Sequence, residues 1–425
     1  MPATTAPQAA DVALSGARPW SKTAGNHERA QQGGMPMAAD GQHARTGPLA
    51  GITVVDVSRI LAGPYCTLLM AELGARVIKV ETPETGDDAR HYGPFVNGKS
   101  AYFQSINRGK ESIALNLKDA DDKAIFEALL ENADVVVENF RPGTMEKLGY
   151  GWDALHARYP RLIYAAASGF GHSGPDMTRP AYDMVVQGMG GIMSVTGHEG
   201  SPPTRIGMSI GDIGSGLYAT VGVLSALYHR AITGEATKVD IGMFDCQLAL
   251  LENAAVRFFT SGKAPGPLGA RHPSITPFEA FETGDGYIII AAGNDGLFRK
   301  LADGLGKPEW KDDPRYVSNP KRAEHVEQLK AELEAILKTD TTEHWMKVLD
   351  DAGVPAGPIN DIGQAVNYPQ AAARNMIVDV DDPITGPMKV IGNPVKISGF
   401  PDPTTRDPAP NLDQDRAKIL KEIGR

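Results

Sequence analysis

The sequence has few cysteines, no excess of basic residues and no long apolar run, and each absence excludes a class of protein. Cys66 and Cys246 are the only cysteines, and neither lies in a CxxC or another metal-ligand spacing, which argues against a disulfide framework and a zinc site. The net charge is −10, and no lysine and arginine block with interleaved aromatics occurs, which argues against a nucleic-acid surface. No apolar run is long enough to span a bilayer, so we expect no membrane partner.

The first 47 residues differ in composition from the rest of the chain. They are rich in alanine, glycine, glutamine and proline and contain no apolar stretch of the kind that marks a secretory signal. Asp11, Glu28 and Asp40 weaken a transit-peptide interpretation without excluding it. We therefore expect residues 1–47 to form a disordered tail on a cytoplasmic protein, with a mitochondrial location left open.

The next segment predicts alternating strands and helices. Residues 52–57 form a β-branched run, 64–74 have a helical pattern, and 77–80 form a second strand, which together make a β-α-β unit. The same order repeats to residue 167, so we predict an α/β domain with a parallel sheet. No GxGxxG follows the first strand, which disfavours a nicotinamide-dependent enzyme.

The composition indicates where this domain stops and resumes. A long helix is predicted over 211–232 and another over 246–260, after which glycine and proline become frequent near 261–268. We predict a large domain over 48–261 and a smaller α+β domain over 262–350. Residues 351–425 would be a linker and a C-terminal part, with strands at 377–380 and 388–391.

Asp183 is the only carboxylate between Arg179 and Glu199, and the run around it is apolar. Burying a carboxylate in such a setting is costly unless it is bonded, so Asp183 must cap, pair or react. It can be the N-cap of a helix that begins at Met184, or a nucleophile that forms a covalent aspartyl intermediate, and the two roles are compatible. Glycines on both sides permit either tight turns or the close approach of a ligand.

Several segments together resemble the class III CoA-transferases, the CaiB–BaiF family. They occur in the family's order from residue 48 to the C-terminus. In this sequence they read Leu49-Ala-Gly-Ile-Thr-Val-Val-Asp56, Ala62-Gly-Pro-Tyr65, Leu73-Gly-Ala-Arg-Val-Ile-Lys-Val-Glu81, Asn107-Arg-Gly-Lys-Glu-Ser112, Val137-Glu-Asn-Phe-Arg-Pro-Gly143, Arg179-Pro-Ala-Tyr-Asp183 and Gly353-Val-Pro-Ala-Gly-Pro358.

The resemblance implies a fold and a reaction. The N- and C-terminal segments would form a Rossmann-like large domain around the smaller domain, and two chains would interlock as a homodimer. No metal and no tightly bound cofactor is implied, because a coenzyme A thioester is itself the substrate. Asp183 would attack an acyl-CoA to give a mixed anhydride and then an enzyme–CoA thioester.

The resemblance also implies two groups of binding residues. Contacts with CoA would come from Arg59, Ala62, Arg108, Lys110, Asn139, Phe140, Arg141 and Lys147. Carboxylates of the acid substrate would be held by Arg90, Arg205, Arg271 and His272, since guanidinium groups suit carboxylates. For each cation, a solvated surface residue is the alternative.

The segment from Gly269 to Pro277 resembles family members that use dicarboxylates, which points to succinyl-CoA as donor and an acid such as glutarate as acceptor. The four-glycine lid of formyl-CoA:oxalate transferases is absent, and Leu61 stands where those enzymes have glutamine. Both departures argue against oxalate.

Three other functions remain as alternatives to this transfer, and the first is a formyl-CoA:oxalate-type transferase, which the two departures disfavour. An α-methylacyl-CoA racemase needs two acid/base groups, and His172 with Asp183 is the only nearby pair. The racemases carry His-Asp where this chain has Tyr182-Asp183, which disfavours them. A non-catalytic CoA-binding protein is the third reading. His172 is otherwise a surface-loop residue, and Glu138 and Asp212 are expected to be structural, Asp212 as a helix cap.

Overall fold

The computed structural model describes residues 45–425, so the prediction for the N-terminal tail lies, up to residue 44, outside the described residues. In chain order the strands are β1 (Thr53–Asp56), β2 (Arg76–Glu81), β3 (Phe95–Val96), β4 (Lys99–Ser100), β5 (Glu111–Ala114), β6 (Val135–Glu138), β7 (Ile163–Ser168), β8 (Lys238–Gly242), β9 (Phe278–Glu282), β10 (Tyr287–Ala291), β11 (Ala356–Pro358), β12 (Ile377–Asp382), β13 (Gly386–Ile391) and β14 (Thr405–Arg406).

The α-helices lie mainly between these strands. They are α1 (Ala62–Glu72), α2 (Ala101–Asn107), α3 (Ala120–Glu131), α4 (Thr144–Leu148), α5 (Trp152–Arg158), α6 (Asp183–Met189), α7 (Ile210–Thr233), α8 (Met243–Leu250), α9 (Asn253–Ser261), α10 (Asp295–Gly304), α11 (Asn319–Glu324), α12 (Val326–Leu337), α13 (Thr342–Ala352), α14 (Ile362–Val366), α15 (Pro369–Ala373) and α16 (Arg416–Glu422).

Six of the strands form a parallel sheet in the order β5-β2-β1-β6-β7-β8. This is the Rossmann order, because the first and fourth strands of the sheet are neighbours and the chain direction across the sheet reverses between them. The predicted α/β class with a Rossmann-like sheet is confirmed. In such sheets ligands bind beyond the carboxyl ends of the strands at the reversal point, here between β1 and β6.

Both faces of the sheet are covered by helices, which explains the continuous apolar strands. On one face, Val54 and Val135 pack with residues of α1 and α7. On the other face, Val55 and Val136 pack with residues of α3, α4, α5 and α16. Alternate residues of one strand thus serve two separate cores.

Helix α7 corrects the expectation that no segment is long and apolar enough to cross a membrane. By length and composition alone, Ile210–Thr233 passes that test. In this structure α7 packs against α1, β7 and β8, and Ala219 and Val223 are buried in the core. This is the position of a core helix in an α/β domain.

A second core lies in the smaller α+β region. Strands β11, β10 and β9 form an antiparallel sheet, and α10, α12 and α13 cover it with leucine, phenylalanine and tryptophan side chains. The predicted boundary at residue 350 falls inside α13. Strand β11 forms its backbone hydrogen bonds with β10, so the smaller region extends to Pro358.

The C-terminal segment ends against the large sheet. It first forms a small sheet in the order β13-β12-β14, which contains both strands predicted here. Asp413 then accepts a bond from the Ala114 amide at 2.7 Å, and Asp415 accepts one from the Ser112 amide at 2.9 Å. The two carboxylates thus accept the hydrogen bonds of backbone amides at the edge of β5 that no neighbouring strand pairs. Ile419 of α16 is buried in the core of the large sheet.

Candidate active site

Asp183 lies at the start of α6, and its side chain is held by two donors. The Gly211 amide donates to Oδ1 at 2.8 Å, and the Gln187 side-chain amide donates to Oδ2 at 2.8 Å. Asp183 is buried, with 8% of the residue exposed. The carboxylate is therefore fixed in orientation by the protein and not by solvent.

The capping role expected for Asp183 is corrected in one respect. Tyr182, and not Asp183, is the N-cap residue of α6, which has no side-chain cap bond. Asp183 instead accepts a bond from the first turn of α7, because Gly211 is the second residue of that 24-residue helix. The positive end of the helix dipole favours a negative charge at this place.

Gln187 is the residue that locks this geometry. It is fully buried, one helical turn after Asp183 on α6. Its Oε1 accepts a bond from the Ile206 amide at 2.9 Å, which fixes which end of the amide faces Asp183. The i,i+4 spacing on a predicted helix was a sequence signal for this contact.

Gly211 permits the close approach of α7 to Asp183. A Cβ atom at this position would lie 2.7 Å from Val186 Cγ2 and 3.0 Å from Asp183 Oδ1. Only glycine therefore fits here without moving the carboxylate. Nothing in the local sequence pattern indicated this contact, since the two residues are 28 positions apart.

Asp212 adds a second carboxylate beside Asp183. It lies in the first turn of α7 but is not the cap as expected, because Ser209 holds that position. Burial, and then the charge of Asp183, raise the pKa of Asp212 to about 7. A carboxyl group that takes up a proton near neutral pH therefore lies beside Asp183.

The loop after β1 is tied to the end of β6 by one side chain. Asn139 Oδ1 accepts a bond from the Arg59 amide at 2.8 Å, and Asn139 Nδ2 donates to the Arg59 carbonyl at 2.7 Å. The Arg59 guanidinium lies over the Phe140 ring at 5.8 Å. Three predicted CoA contacts therefore meet at the reversal point of the sheet.

We expect Asn139→Ala to raise the KM for acyl-CoA about tenfold, because two bonds of about 1 kcal/mol each no longer hold the Arg59 loop. The effect on kcat should be much smaller. Steady-state kinetics with varied acyl-CoA measure both. Asn132→Ala is the matched control, since Asn132 bonds only the Ala128 carbonyl at the exposed end of α3. An unchanged KM would show that the loop is held by other contacts.

Lys110 lies in a buried polar network and not at a surface. Its ammonium has the Asp56 carboxylate, the Thr67 hydroxyl, the Pro64 carbonyl and the Asn107 side-chain oxygen within 3.1 Å. Burial lowers the pKa of Lys110 to about 8 although Asp56 opposes this. At Asp56 burial acts to raise the pKa, but Lys110, Lys79 and two hydroxyls together lower it to about 2. We therefore revise the role of Lys110 from phosphate binding to support of the β1 loop.

Arg108 and Arg90 also have protein partners. Arg108 is buried and donates to Glu72 at 2.7 Å and to the Ile391 carbonyl at 2.8 Å, so it too supports the fold in this structure. Arg90 donates to both oxygens of Glu81 at 2.7 Å. Substrate binding by Arg90 stays a prediction. The Arg90 guanidinium would have to bind the substrate carboxylate while it is paired with Glu81, or exchange Glu81 for the substrate.

The other predicted residues are more open. Arg141 and Lys147 are exposed, and neither forms an ion pair within residues 45–425. Both side chains are therefore available to contact a phosphate group. Ala62 is buried at the start of α1. Arg205 is exposed and donates to the carbonyls of Ile206 and Gly207, in the segment that leads to Gly211.

Arg271 and His272 lie in the loop before β9. Arg271 faces Glu327 at 3.4 Å, and the His272 ring stacks on Phe278 with centroids 5.2 Å apart. The Gly269 amide in the same loop donates to the Gly197 carbonyl at 2.8 Å. This contact joins the loop to the segment between α6 and α7. Binding of the acid by Arg271 and His272 stays a prediction.

Three comparisons with known proteins find related chains. The profile of a family described as CoA-transferase family III matches residues 49–416. The chain is 47% identical over 89% of its length to an acetyl-CoA:oxalate CoA-transferase of Acetobacter aceti, of which 96% is covered. It is 39% identical to a succinate–glutarate CoA-transferase of Agrobacterium fabrum, over 89% of this chain and 96% of that one. A solved CAIB/BAIF family protein from Brucella suis has a TM-score of 0.78 at 40% identity, covering 89% of this chain and 100% of that chain.

Proposed function

The chain belongs to CoA-transferase family III, and we propose that it transfers CoA between carboxylic acids through a covalent intermediate on Asp183. The family predicted from the sequence motifs is confirmed, and with it an enzyme that uses CoA thioesters as substrates. The observation that carries the proposal is the fixed carboxylate of Asp183, bonded by Gly211 and Gln187 and shielded from bulk water.

The proposed reaction begins with attack of an Asp183 oxygen on the thioester carbonyl carbon of the donor. The carbon–sulfur bond breaks, CoA leaves as a thiolate, and a mixed anhydride remains. The thiolate then attacks the aspartyl carbonyl carbon, releasing the donor acid as a carboxylate and leaving an aspartyl–CoA thioester. The acceptor carboxylate repeats the two steps in reverse order and leaves as its CoA thioester.

The two donors at Asp183 have a role in these steps. When the thiolate attacks the aspartyl carbonyl, negative charge develops on the Asp183 oxygen that remains bonded to the protein. The Gly211 amide or the Gln187 amide already points at that oxygen, so it stabilises the charge without rearrangement. The burial of Asp183 also limits access of water, which would hydrolyse the anhydride.

Acylation of Asp183 removes its charge and should change the proton affinity of Asp212. The Asp183 charge is one cause of the raised pKa of Asp212, so neutralising Asp183 should lower that pKa. We expect Asp183→Asn to lower the pKa of Asp212 from about 7, as measured by infrared titration of its protonated carboxyl band. Asp212→Asn identifies the band. An unchanged titration would mean that the two carboxylates do not interact.

We propose succinyl-CoA or acetyl-CoA as the donor and a short dicarboxylic acid as the acceptor. The named relatives act on oxalate and on succinate with glutarate, which supports a dicarboxylate in this chain as well. The absence of the glycine lid and the presence of Leu61 argued against oxalate. A relative 47% identical to this chain carries oxalate in its name, so oxalate returns among the acceptors.

The test is a panel of oxalate, succinate, glutarate and mesaconate against each donor, with the CoA esters separated by chromatography. The proposal requires a new CoA ester that forms in step with loss of the donor. Hydrolysis of the donor without a new ester, or no reaction with any acid, would contradict it.

We also propose a homodimer, as the resemblance implies. Its support is a row of exposed apolar side chains on α7, namely Val221, Tyr228 and Ile232. Single apolar residues are normal on a protein surface, whereas several exposed side chains along one face of a helix indicate an interaction site. Light scattering on the eluting protein should give twice the chain mass, and a monomer would contradict the proposal. The cytoplasmic location stays a prediction.

A further inference from the structure

We propose that Glu138 and His172 form a latch that holds the loop from Gly169 to Gly174, called here the glycine loop, against the end of β6. The latch would position Asp183 for the proposed reaction, so this inference rests on the proposed function. Neither residue belongs to the groups that bond Asp183. Both are buried, and together they join the loop after β6 to the loop that leads to Asp183.

Glu138 is the last residue of β6 and is 2% exposed. Its Oε2 accepts a bond from the Phe140 amide at 2.7 Å, and its Oε1 accepts one from the Tyr164 hydroxyl at 2.9 Å. His172 Nε2 lies 3.5 Å from the same Oε1. Glu138 thus contacts both the segment that contains Phe140 and the glycine loop.

His172 is oriented so that its remaining proton faces Glu138. Its backbone amide donates to Asp240 at 3.0 Å, and its Nδ1 lies 3.1 Å from the Lys238 ammonium. An ammonium group can only donate, so Nδ1 is the acceptor and the ring proton is on Nε2. Nε2 is buried and forms no hydrogen bond in the part of the chain that the structure describes, and the Glu138 Oε1 atom at 3.5 Å is the acceptor that it faces.

The glycine loop is packed closely enough to transmit a displacement to Asp183. Gly169 lies against Ala181, since a Cβ atom on Gly169 would be 2.5 Å from Ala181 Cβ. Ala181 is two residues before Asp183. The Gly169 carbonyl also accepts a bond from the Phe244 amide at 3.0 Å at the start of α8. If the His172 ring is removed, the loop loses its side-chain contacts with Glu138 and Lys238 and keeps its backbone bonds, such as those to Phe244 and Asp240.

The charges around the latch make it sensitive to pH. Burial raises the pKa of Glu138 to about 7; Glu146 of α4 acts in the same direction, whereas Phe140, Tyr164 and Lys238 oppose it. Burial and Lys238 lower the pKa of His172, while Asp240 and Glu146 oppose this. Glu138 therefore becomes a carboxylate as the pH rises through about 7, and only then accepts fully from the neutral His172 ring. The latch should tighten with rising pH.

The test compares His172→Ala, His172→Gln and Glu138→Gln in the full-length enzyme, with kcat and KM measured from about pH 5.5 to about pH 8.5. We expect His172→Ala to lower kcat about tenfold with little change in the KM for the acid, because a small displacement of Asp183 impairs the reaction more than binding. His172→Gln should restore most of the loss, since its amide can donate to Glu138. Glu138→Gln should remove the rise in activity near pH 7.

Glu127→Gln is the control, because Glu127 pairs with Tyr150 in the same domain but contacts neither loop. Hydrogen exchange of the backbone amides from 169 to 182 gives a second measurement that needs no activity. It should become faster in His172→Ala and stay unchanged in Glu127→Gln. If exchange and kcat of His172→Ala both equal those of the wild type, the latch is refuted while the proposed function stands. If the wild type itself transfers no CoA, the proposed function fails and the exchange measurement still decides the latch.

Discussion

Replacing Asp183 with alanine is expected to reduce CoA transfer at least about a thousandfold, the scale seen when an enzyme loses its nucleophile. The reason is that Asp183 is the carboxylate held in place by the Gly211 and Gln187 donors, and alanine has no oxygen that can attack the thioester. The measurement is turnover of acyl-CoA with a saturating acid, with detection of the new CoA ester.

Loss of the side chain also leaves the Gly211 amide without its acceptor, at a cost of about 1 kcal/mol to the first turn of α7. Asp183→Asn cannot form the anhydride, but its carbonyl can still accept from Gly211, while its NH2 group faces the donating Gln187 amide; thermal unfolding of both variants therefore separates the loss of stability from the loss of catalysis. Asp176→Asn is the matched control, since Asp176 is exposed on the same approach to α6 and pairs only with Arg179 at 3.7 Å. We expect the control within about twofold of the wild type, in line with the small contribution of surface ion pairs. Residual turnover above a few per cent in Asp183→Asn would contradict the assignment.

Gly211→Ala is expected to lower kcat about a hundredfold without unfolding the protein. A methyl group there would lie 3.0 Å from Asp183 Oδ1 and 2.7 Å from Val186 Cγ2, so Asp183 or the start of α7 must shift. A displacement of about 1 Å at a catalytic group can cost about a hundredfold in rate. The KM for acyl-CoA should change much less, because the loop at Arg59 and Asn139 is not touched.

Gly188→Ala is the control for Gly211→Ala. Gly188 lies in α6, the helix that begins at Asp183. An added methyl group there would meet only Met193 Sδ at 3.7 Å, which is an ordinary van der Waals contact. Thermal unfolding of both variants, together with kinetics, separates packing strain from catalytic displacement. If both variants retain full kcat, the tight approach of α7 does not position the carboxylate.

The first strands of the large sheet were predictable because they are β-branched runs buried on both faces, and β1 and β2 lie within one residue of their predicted places. The helix predicted over 246–260 was wrong as a single element. The chain breaks it at Glu252, which has a φ of 46° that no local pattern indicates.

The candidate site was predictable in part. Asp183 was found because an isolated carboxylate in an apolar run is costly and because its neighbours resemble a known family. Lys110 was assigned to a phosphate because burial cannot be read from a sequence, and its partner Asp56 is 54 positions away. The bonds between Arg59 and Asn139 and between Gly211 and Asp183 could not be predicted for a similar reason, because each joins segments that are distant in the sequence.

The most direct measurement is chemical trapping of the intermediate. The wild-type enzyme is incubated with succinyl-CoA or acetyl-CoA, quenched with hydroxylamine, digested and analysed by mass spectrometry. An aspartyl hydroxamate at Asp183, absent without acyl-CoA and absent in Asp183→Asn, is the expected result. Transfer that proceeds at full rate while Asp183 stays unmodified, or a hydroxamate on another carboxylate, would contradict the proposal.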